Sequence, residues 1–210
     1  ARVTLKANPT ATLYVGLQLV TVDSCLVTTL SGTLAATDTM TTATISPKLG
    51  SYARTFSVFS YSMSSDVSAT NTGRVLLNGR VTSDSTYVIE RENQAATYAM
   101  DYNALLITFK SGWPITTERL TRTFTSSDAS LKDTIVGGVT SRSMVWGNGN
   151  LFSRGITTAT TDSTGSATFS FFQTDSTVTI SRGSLGYTTT VRAEGVTFPV
   201  GVGGGADTVA

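Results

Sequence analysis

The stretch TSDSTYVIER, from Thr82 to Arg91, is closely repeated by QTDSTVTISR, from Gln173 to Arg182. Each stretch is rich in β-branched side chains, which is typical of a β-strand. Five of the ten positions are identical at a constant separation of 91 residues. A strand that occurs twice in this way predicts that a larger unit is repeated around it.

The segments that flank this strand recur at nearly the same separation. Three more groups of residues pair at separations of 88 to 90 residues: Thr33, Asp38 and Ile45 with Thr123, Asp128 and Ile135; Gly50, Arg54 and Phe56 with Gly138, Arg142 and Met144; and Thr108 and Phe109 with Thr197 and Phe198. Solenoid and propeller units span roughly 20 to 50 residues, so this longer period indicates a repeated domain.

The sequence therefore predicts two copies of one domain. The predicted organisation is an N-terminal arm at 1–24, a first repeat at 25–109, a junction at 110–114, a second repeat at 115–198 and a Gly-rich C-terminal tail at 199–210. Within each repeat, five to seven short strand patterns are separated by turn residues, and no segment keeps a helical period. The predicted fold class is all-β, with two tandem antiparallel β-sandwich domains related by internal duplication.

The closing strand of each repeat changes its buried face. In YAMDYNALLITF the apolar residues up to Leu106 share one face, and Ile107 and Phe109 take the other. The second repeat shows the same change near Phe198. Such a change predicts a β-bulge or a strand that crosses between sheets. We also expect Gly195 to interrupt the closing strand of the second repeat.

The composition removes most catalytic chemistry. The 210 residues include no histidine and one cysteine, Cys25. Histidine is the usual general base and the commonest zinc ligand, and thiolate cages need several cysteines. We therefore predict that the chain is not an enzyme, with no catalytic, cofactor-binding or metal site and no cofactor. Cys25 is predicted to be a small core residue without a disulfide partner, as in a reducing compartment.

One acidic grouping could serve a glycosidase, which uses paired carboxylates. Glu90 and Glu92 lie on one strand near Asp101. The corresponding positions of the second repeat are Ser181 and Gly183, so the grouping is not repeated. We therefore predict that these carboxylates form a solvated strand face.

The distribution of charge argues against two classes of partner. The 15 basic and 14 acidic residues are scattered along the chain, and a phosphate backbone would need a basic stripe. No apolar run approaches the roughly 20 residues that span a bilayer, and the N-terminus lacks the layout of a signal peptide. We expect no nucleic acid, no membrane and synthesis in a cytoplasm.

The repeated motifs resemble those of a known group of proteins. ARTFSVF, STYVIER and ALLITF in the first repeat, with SRSMVWG, STVTISR and GVTF in the second, resemble strands of small β-sandwich virion proteins of tailed bacteriophages. The second repeat departs from the pattern at Met144, where the group has an aromatic residue. The resemblance implies a non-enzymatic structural protein of the virion, assembled in the cytoplasm of a bacterial host.

Within that group, we expect a capsid decoration or cement protein. Its partners would be the major capsid protein or other virion proteins, and it would form a homo-oligomer. The N-terminal arm and the C-terminal tail would make the contacts between subunits. The alternative is a tail or head fibre component that carries a receptor-binding or carbohydrate-binding module, and a secreted adhesin domain is a further possibility. Trp146, beside the sequence GNGN, is the aromatic candidate for sugar stacking.

Overall fold

The computed structural model describes residues 25–63, 76–91, 99–113, 115–138, 142–153, 169–183 and 188–199. These residues form twelve β-strands and one short 3₁₀ turn, Tyr52–Arg54, and within them there is no α-helix. The prediction of an all-β fold is confirmed. The predicted N-terminal arm and residues 200–210 of the predicted tail lie outside the described residues.

The first half of the chain, 25–109, contains six strands in two sheets. The strands are β1 (Cys25–Leu34), β2 (Met40–Thr44), β3 (Thr55–Met63), β4 (Asn78–Ser83), β5 (Thr86–Glu90) and β6 (Met100–Phe109). They form two three-stranded antiparallel sheets in the orders β1-β6-β3 and β2-β5-β4. The sheets enclose one apolar core, which makes this half a small sandwich.

The second half, 115–198, repeats this arrangement. Its strands are β7 (Thr116–Phe124), β8 (Ser130–Thr134), β9 (Ser143–Ser153), β10 (Phe169–Thr174), β11 (Thr177–Arg182) and β12 (Thr189–Thr197). The sheet orders β7-β12-β9 and β10-β11-β8 match those of the first half strand for strand. Two halves of equal topology are what a repeat requires, while the duplication of a gene segment and the domain boundaries stay predictions.

Alternating side chains of the central strands fill the first core. On β6, the buried residues Met100, Tyr102, Ala104 and Leu106 alternate with outward-facing ones. They pack against Phe59 of β3 and against residues of the facing sheet, namely Val81, Tyr87 and Ile89. The core of the second half is built in the same way from Leu120, Phe124, Ile135, Val178, Ile180, Val191 and Ala193.

The repeated strand is followed in the first half by a buried arginine that binds a loop. The side chain of Arg91 is 2% exposed. Its Nε donates a hydrogen bond to the carbonyl oxygen of Asp38 at 2.7 Å, and its Nη2 donates to those of Ala35 and Ala36 at 2.6 and 2.7 Å. Arg91 therefore holds the loop between β1 and β2, and burial lowers the pKa of its guanidinium group.

Arg182 has the same role in the second half. It is also buried, and its Nη2 donates to the carbonyl oxygen of Thr125 at 2.6 Å, in the loop between β7 and β8. In that loop, Asp128 accepts hydrogen bonds from the backbone N–H and the hydroxyl of Thr125, which lower the pKa of its carboxyl group. The arginine that ends both copies of the strand motif is thus a structural residue.

In the two cores, a phenylalanine and a facing glycine occupy opposite sheets. Phe59 of β3 packs over Gly79 of β4, whereas in the second half Phe171 of β10 packs over Gly147 of β9. The registers make these positions equivalent: Phe59 lies opposite Ala104 and Gly147 opposite Ala193, while Gly79 lies opposite Ile89 and Phe171 opposite Ile180. One phenyl ring fills the same place from either sheet, so the volume of the core is maintained.

We predict that Gly79→Ala lowers the free energy of unfolding by about 2 kcal/mol, because a Cβ at Gly79 would clash with the ring of Phe59 and the hydroxyl of Tyr87. Gly50→Ala is the matched control, since a Cβ there meets no atom within 4 Å. Urea denaturation monitored by circular dichroism measures both variants. Equal stability of Gly79→Ala and Gly50→Ala would contradict the close packing at Gly79.

The structure corrects the predicted bulge in the closing strand of the first half. β6 pairs with β1 in an unbroken register from Cys25 opposite Phe109 to Leu34 opposite Met100. The apolar face changes because both faces are covered at this end of the strand. Leu106 lies in the core of the first half, and Phe109 lies in a cluster that joins the two halves.

The expectation for Gly195 is also wrong. Gly195 lies within β12 and pairs with Glu118 of β7 and Val145 of β9. A Cβ at this position would lie 2.9 Å from Cδ1 of Ile135, so glycine leaves room for a core side chain without ending the strand. The register of β12 with β9 does shift, but it does so earlier, between Val191 and Ala193.

Candidate interaction surfaces

The two halves are joined by an apolar cluster at the junction. Phe56, Phe109, Ile115 and Val196 are buried there. Trp113 packs on Phe109 with 6.4 Å between the ring centroids, and Phe198 meets the same ring edge-on at 5.9 Å. Trp113 therefore packs at the junction of the two halves.

Beside this cluster, β12 inserts a carboxylate into the first half. Glu194 is 3% exposed and accepts hydrogen bonds from the backbone N–H of Ser57 at 2.6 Å and from its hydroxyl at 3.1 Å. Burial raises the pKa of the neighbouring Tyr87, and the charge of Glu194 raises it further. A buried carboxylate that binds both groups of one serine fixes the position of β12 on β3.

An ion-pair network lies on the same contact. Glu90 of β5 accepts from Arg80 at 2.9 Å and from Arg192 of the second half at 2.8 Å. Only 14% of the Glu90 side chain is exposed. The prediction that Glu90 belongs to a solvated strand face is therefore wrong, because the second half covers it.

Asp101, another member of the predicted acidic grouping, does not join Glu90. Asp101 lies on β6, in the other sheet of the sandwich, and accepts a hydrogen bond from the hydroxyl of Thr33 at 2.7 Å. Glu92 lies outside the described residues. Within the part of the chain that the structure describes, no group of three or more His, Cys, Asp or Glu side chains is arranged to hold a metal ion.

β7 adds a third contact between the halves. Nη2 of Arg119 donates to the carbonyl oxygens of Thr55 and Tyr52 at 2.9 and 3.3 Å, and its guanidinium carbon lies 3.9 Å from the centroid of the Tyr52 ring. The hydroxyl of Thr117 donates to the carbonyl oxygen of Ala53 at 2.8 Å. Cation–π stacking and backbone hydrogen bonds together attach β7 to the 3₁₀ turn of the first half.

Two single residues were candidates for a core position and for a binding site, namely Cys25 and Trp146. Cys25 is half-buried at the start of β1 and packs against the junction cluster, so it is not a residue of either sandwich core. The side chain of Trp146, the candidate for sugar stacking, lies outside the described part of the structure.

One broad face of the first half is exposed. We call it the outer face: the outward residues Val27, Thr29, Ser31 and Thr33 of β1, Asp101, Asn103, Leu105 and Ile107 of β6, and Val58, Ser60 and Ser62 of β3. Three of its apolar side chains, Val27, Leu105 and Val58, are 52, 43 and 43% exposed. The registers place Leu105 directly beside Val58 and Val27 beside Ile107, so they form a continuous apolar patch.

The outer face carries one charged residue, Asp101, and is otherwise apolar, hydroxyl or amide in character. Protein interfaces have cores depleted of charge, and contiguous exposed apolar patches mark sites of interaction. This surface was not predicted from the sequence. Its signal was Leu105, which occupies an outward position in a strand whose other face is already apolar.

We compared the chain with known proteins, and the result makes the fold and these surfaces the basis for assigning a function. No protein family, curated protein or solved structure shows a significant match to the chain. Among the described residues, no helix is long and apolar enough to cross a membrane.

Proposed function

We propose that this chain is a non-enzymatic structural protein of a bacteriophage virion, and specifically a capsid decoration protein that binds the major capsid protein and stabilises the shell. The observation that carries the proposal is the outer face. Val27, Val58 and Leu105 form an exposed apolar patch within a surface of Ser, Thr and Asn residues. Such a surface suits adhesion to neighbouring protein subunits.

The buried acidic residues support the same interpretation. The carboxylates of Glu90 and Glu194 accept hydrogen bonds from Arg80, Arg192 and Ser57. The contacts of Glu90 with Arg192 and of Glu194 with Ser57 join the two halves. Carboxylates used in this way stabilise the fold, whereas acid–base catalysis requires a carboxylate within reach of a substrate.

In the proposed mechanism, the protein attaches to the shell through a large total area of contact. A standard interface buries about 1,600 Å² in total, and its repetition over a symmetric shell multiplies modest affinities into a large stabilisation. The predicted arm at 1–24 and tail at 199–210 would bind the shell, and the sandwiches would form a neutral outer layer. The localisation that follows is the virion, after assembly in the host cytoplasm.

Binding to phage heads tests the proposal. Purified protein is mixed with expanded heads that lack it, with unexpanded heads and with host cells, and each mixture is sedimented. We expect saturable binding to expanded heads and none to cells. A chain shortened to residues 1–199 should bind heads at least about tenfold more weakly, because a terminal contact is lost.

The same assay recognises the fibre alternative. Adsorption to host cells or to a glycan array, without binding to heads, would overturn the decoration role and favour a receptor-binding module. Unchanged head binding by the 1–199 chain would overturn the part assigned to the tail.

A further inference from the structure

We propose that copies of this chain associate head to tail, with the outer face of the first half of one copy docked on the second half of the next. The partner is thus a second copy of the chain, and the contact repeats the one that already joins the two halves. This inference deepens the proposed function, on which it rests for its biological setting.

The contact within the chain is the template. The second half contributes its own outer face, the outward residues of β7, β12 and β9, among which Glu194 and Arg192 are central. The first half contributes a surface that we call its receiving end, defined by Ser57 and Glu90. Ser57 donates hydrogen bonds to Glu194, and Glu90 forms an ion pair with Arg192. Each half therefore has both an outer face and a receiving end. Within one copy, the outer face of the second half is bound to the receiving end of the first half.

Two hydroxyl pairs fix the equivalence of outer-face positions in the two halves. Thr55 pairs with Thr108 across β3 and β6 at 2.7 Å, and Ser143 pairs with Thr197 across β9 and β12 at 2.9 Å. Three residues before Thr108 is Leu105, and three residues before Thr197 is Glu194. The exposed Leu105 therefore occupies the position of the buried Glu194, and by the same count Asn103 occupies that of Arg192.

The receiving ends are aligned by the same landmarks. Ser57 follows Thr55 by two residues, as Val145 follows Ser143. Glu90 precedes the buried Arg91, as Ser181 precedes the buried Arg182. Val145 and Ser181 are half-buried in the second half and are the counterparts of Ser57 and Glu90.

At two of the contacts, the residues that differ between the halves differ as matched pairs. Within the chain, the carboxylate of Glu194 meets the hydroxyl of Ser57, and at the equivalent positions Leu105 would meet Val145. A polar pair is replaced by an apolar pair.

The second pair changes in the same concerted way. The ion pair of Arg192 with Glu90 has as its counterpart Asn103 with Ser181, in which an amide can bind a hydroxyl. Had one member alone lost its charge, docking would bury an uncompensated ion at a cost of several kcal/mol. At these two pairs, the outer face of the first half and the receiving end of the second half are therefore complementary to each other.

A contact between two different surfaces of the same chain is heterologous. It leaves one free outer face and one free receiving end at each step, so it extends into a row or closes into a ring. On a shell, such rows would link neighbouring copies laterally.

Sedimentation velocity over a range of protein concentrations tests the inference. The variants Leu105→Glu and Ser181→Glu each place a glutamate where the other half already has one, so the fold accommodates them. Thr44→Glu is the control, because Thr44 is exposed on the other sheet and lies opposite Thr86. We expect wild type to associate, both test variants to associate at least about tenfold more weakly, and the control to behave like wild type.

Mixing the two variants distinguishes head-to-tail association from other modes. The Ser181→Glu copy keeps its outer face and the Leu105→Glu copy keeps its receiving end, so the mixture should form one-to-one dimers at concentrations at which each variant alone stays monomeric. In addition, Asn103→Arg combined with Ser181→Glu should restore association by recreating the pair of Arg192 with Glu90.

Three results would overturn the inference. One is a monomeric wild type at the highest soluble concentration. Another is association that Leu105→Glu weakens and Ser181→Glu leaves unchanged, as in a face-to-face dimer. The third is a mixture of the two variants that stays monomeric. Binding of a monomeric chain to expanded heads would contradict the self-association alone, and the proposed function would stand.

Discussion

Replacing Arg91 with alanine is expected to lower the free energy of unfolding by about 3 kcal/mol. The guanidinium group is buried and donates to three backbone carbonyl oxygens of the loop between β1 and β2. Without it, the carbonyl oxygens of Ala35, Ala36 and Asp38 lose their charge-assisted donor. Urea denaturation followed by circular dichroism gives the change in stability.

Arg122→Ala is the matched control for this experiment. Arg122 also forms a charged hydrogen bond, to Asp133 at 2.8 Å, but its side chain is 44% exposed. Exposed ion pairs contribute about 0 to 1 kcal/mol, so this variant should remain close to wild type. Arg182→Ala should destabilise in the same direction as Arg91→Ala. Equal effects of Arg91→Ala and Arg122→Ala would contradict the structural role of the repeated arginine.

The second large effect is expected for Glu194→Ala, which should cost about 3 kcal/mol. The substitution removes the acceptor of both the backbone N–H and the hydroxyl of Ser57, and these groups remain buried. It also opens a gap between β12 and β3. The free energy of unfolding is again the measured quantity.

A double-mutant cycle assigns this effect to the contact between the halves. Ser57→Ala should be destabilising alone, and in the Glu194→Ala background it should cost about 1 kcal/mol less, because contacting residues are not additive. Thr121→Ala, at an exposed position of the neighbouring strand β7, is the control and should be additive with Glu194→Ala. Additive effects of Ser57→Ala and Glu194→Ala would show that the two halves are not coupled through this pair.

The repeated strand made the fold class predictable because it combined a local pattern with a constant separation. Period-2 alternation indicated strands, and equal spacing of the flanking residues indicated that all of them belong to one repeated unit. The identity of Arg91 and Arg182 was visible in the sequence. Their burial was not, because an arginine at the end of a strand is ordinarily an exposed residue.

The environment of Glu90 could not be predicted, since it depends on packing between the halves. Its partner Arg192 lies on a strand of the other half, and no local pattern reports such a contact. The same cause explains the apolar face change near Phe109, which is buried by the second half without a bulge. Gly195 was misjudged for a related reason, because its neighbour Ile135 is distant in sequence.

The outer face could have been found by comparing the repeats position by position. Leu105 and Glu194 occupy equivalent places, and a leucine that replaces a glutamate on an outward position is informative once the topology is known. Sequence alone did not say which of the two positions is covered. The structure answers this, since Glu194 is buried between the halves and Leu105 is exposed.

The central claim is that the chain acts by attachment to neighbouring subunits of a virion. The most direct measurement is electron microscopy of purified phage particles labelled with an antibody raised against this chain. The account predicts regular labelling over the surface of the head. Particles without label, with the chain found instead in the soluble fraction of infected cells, would contradict it.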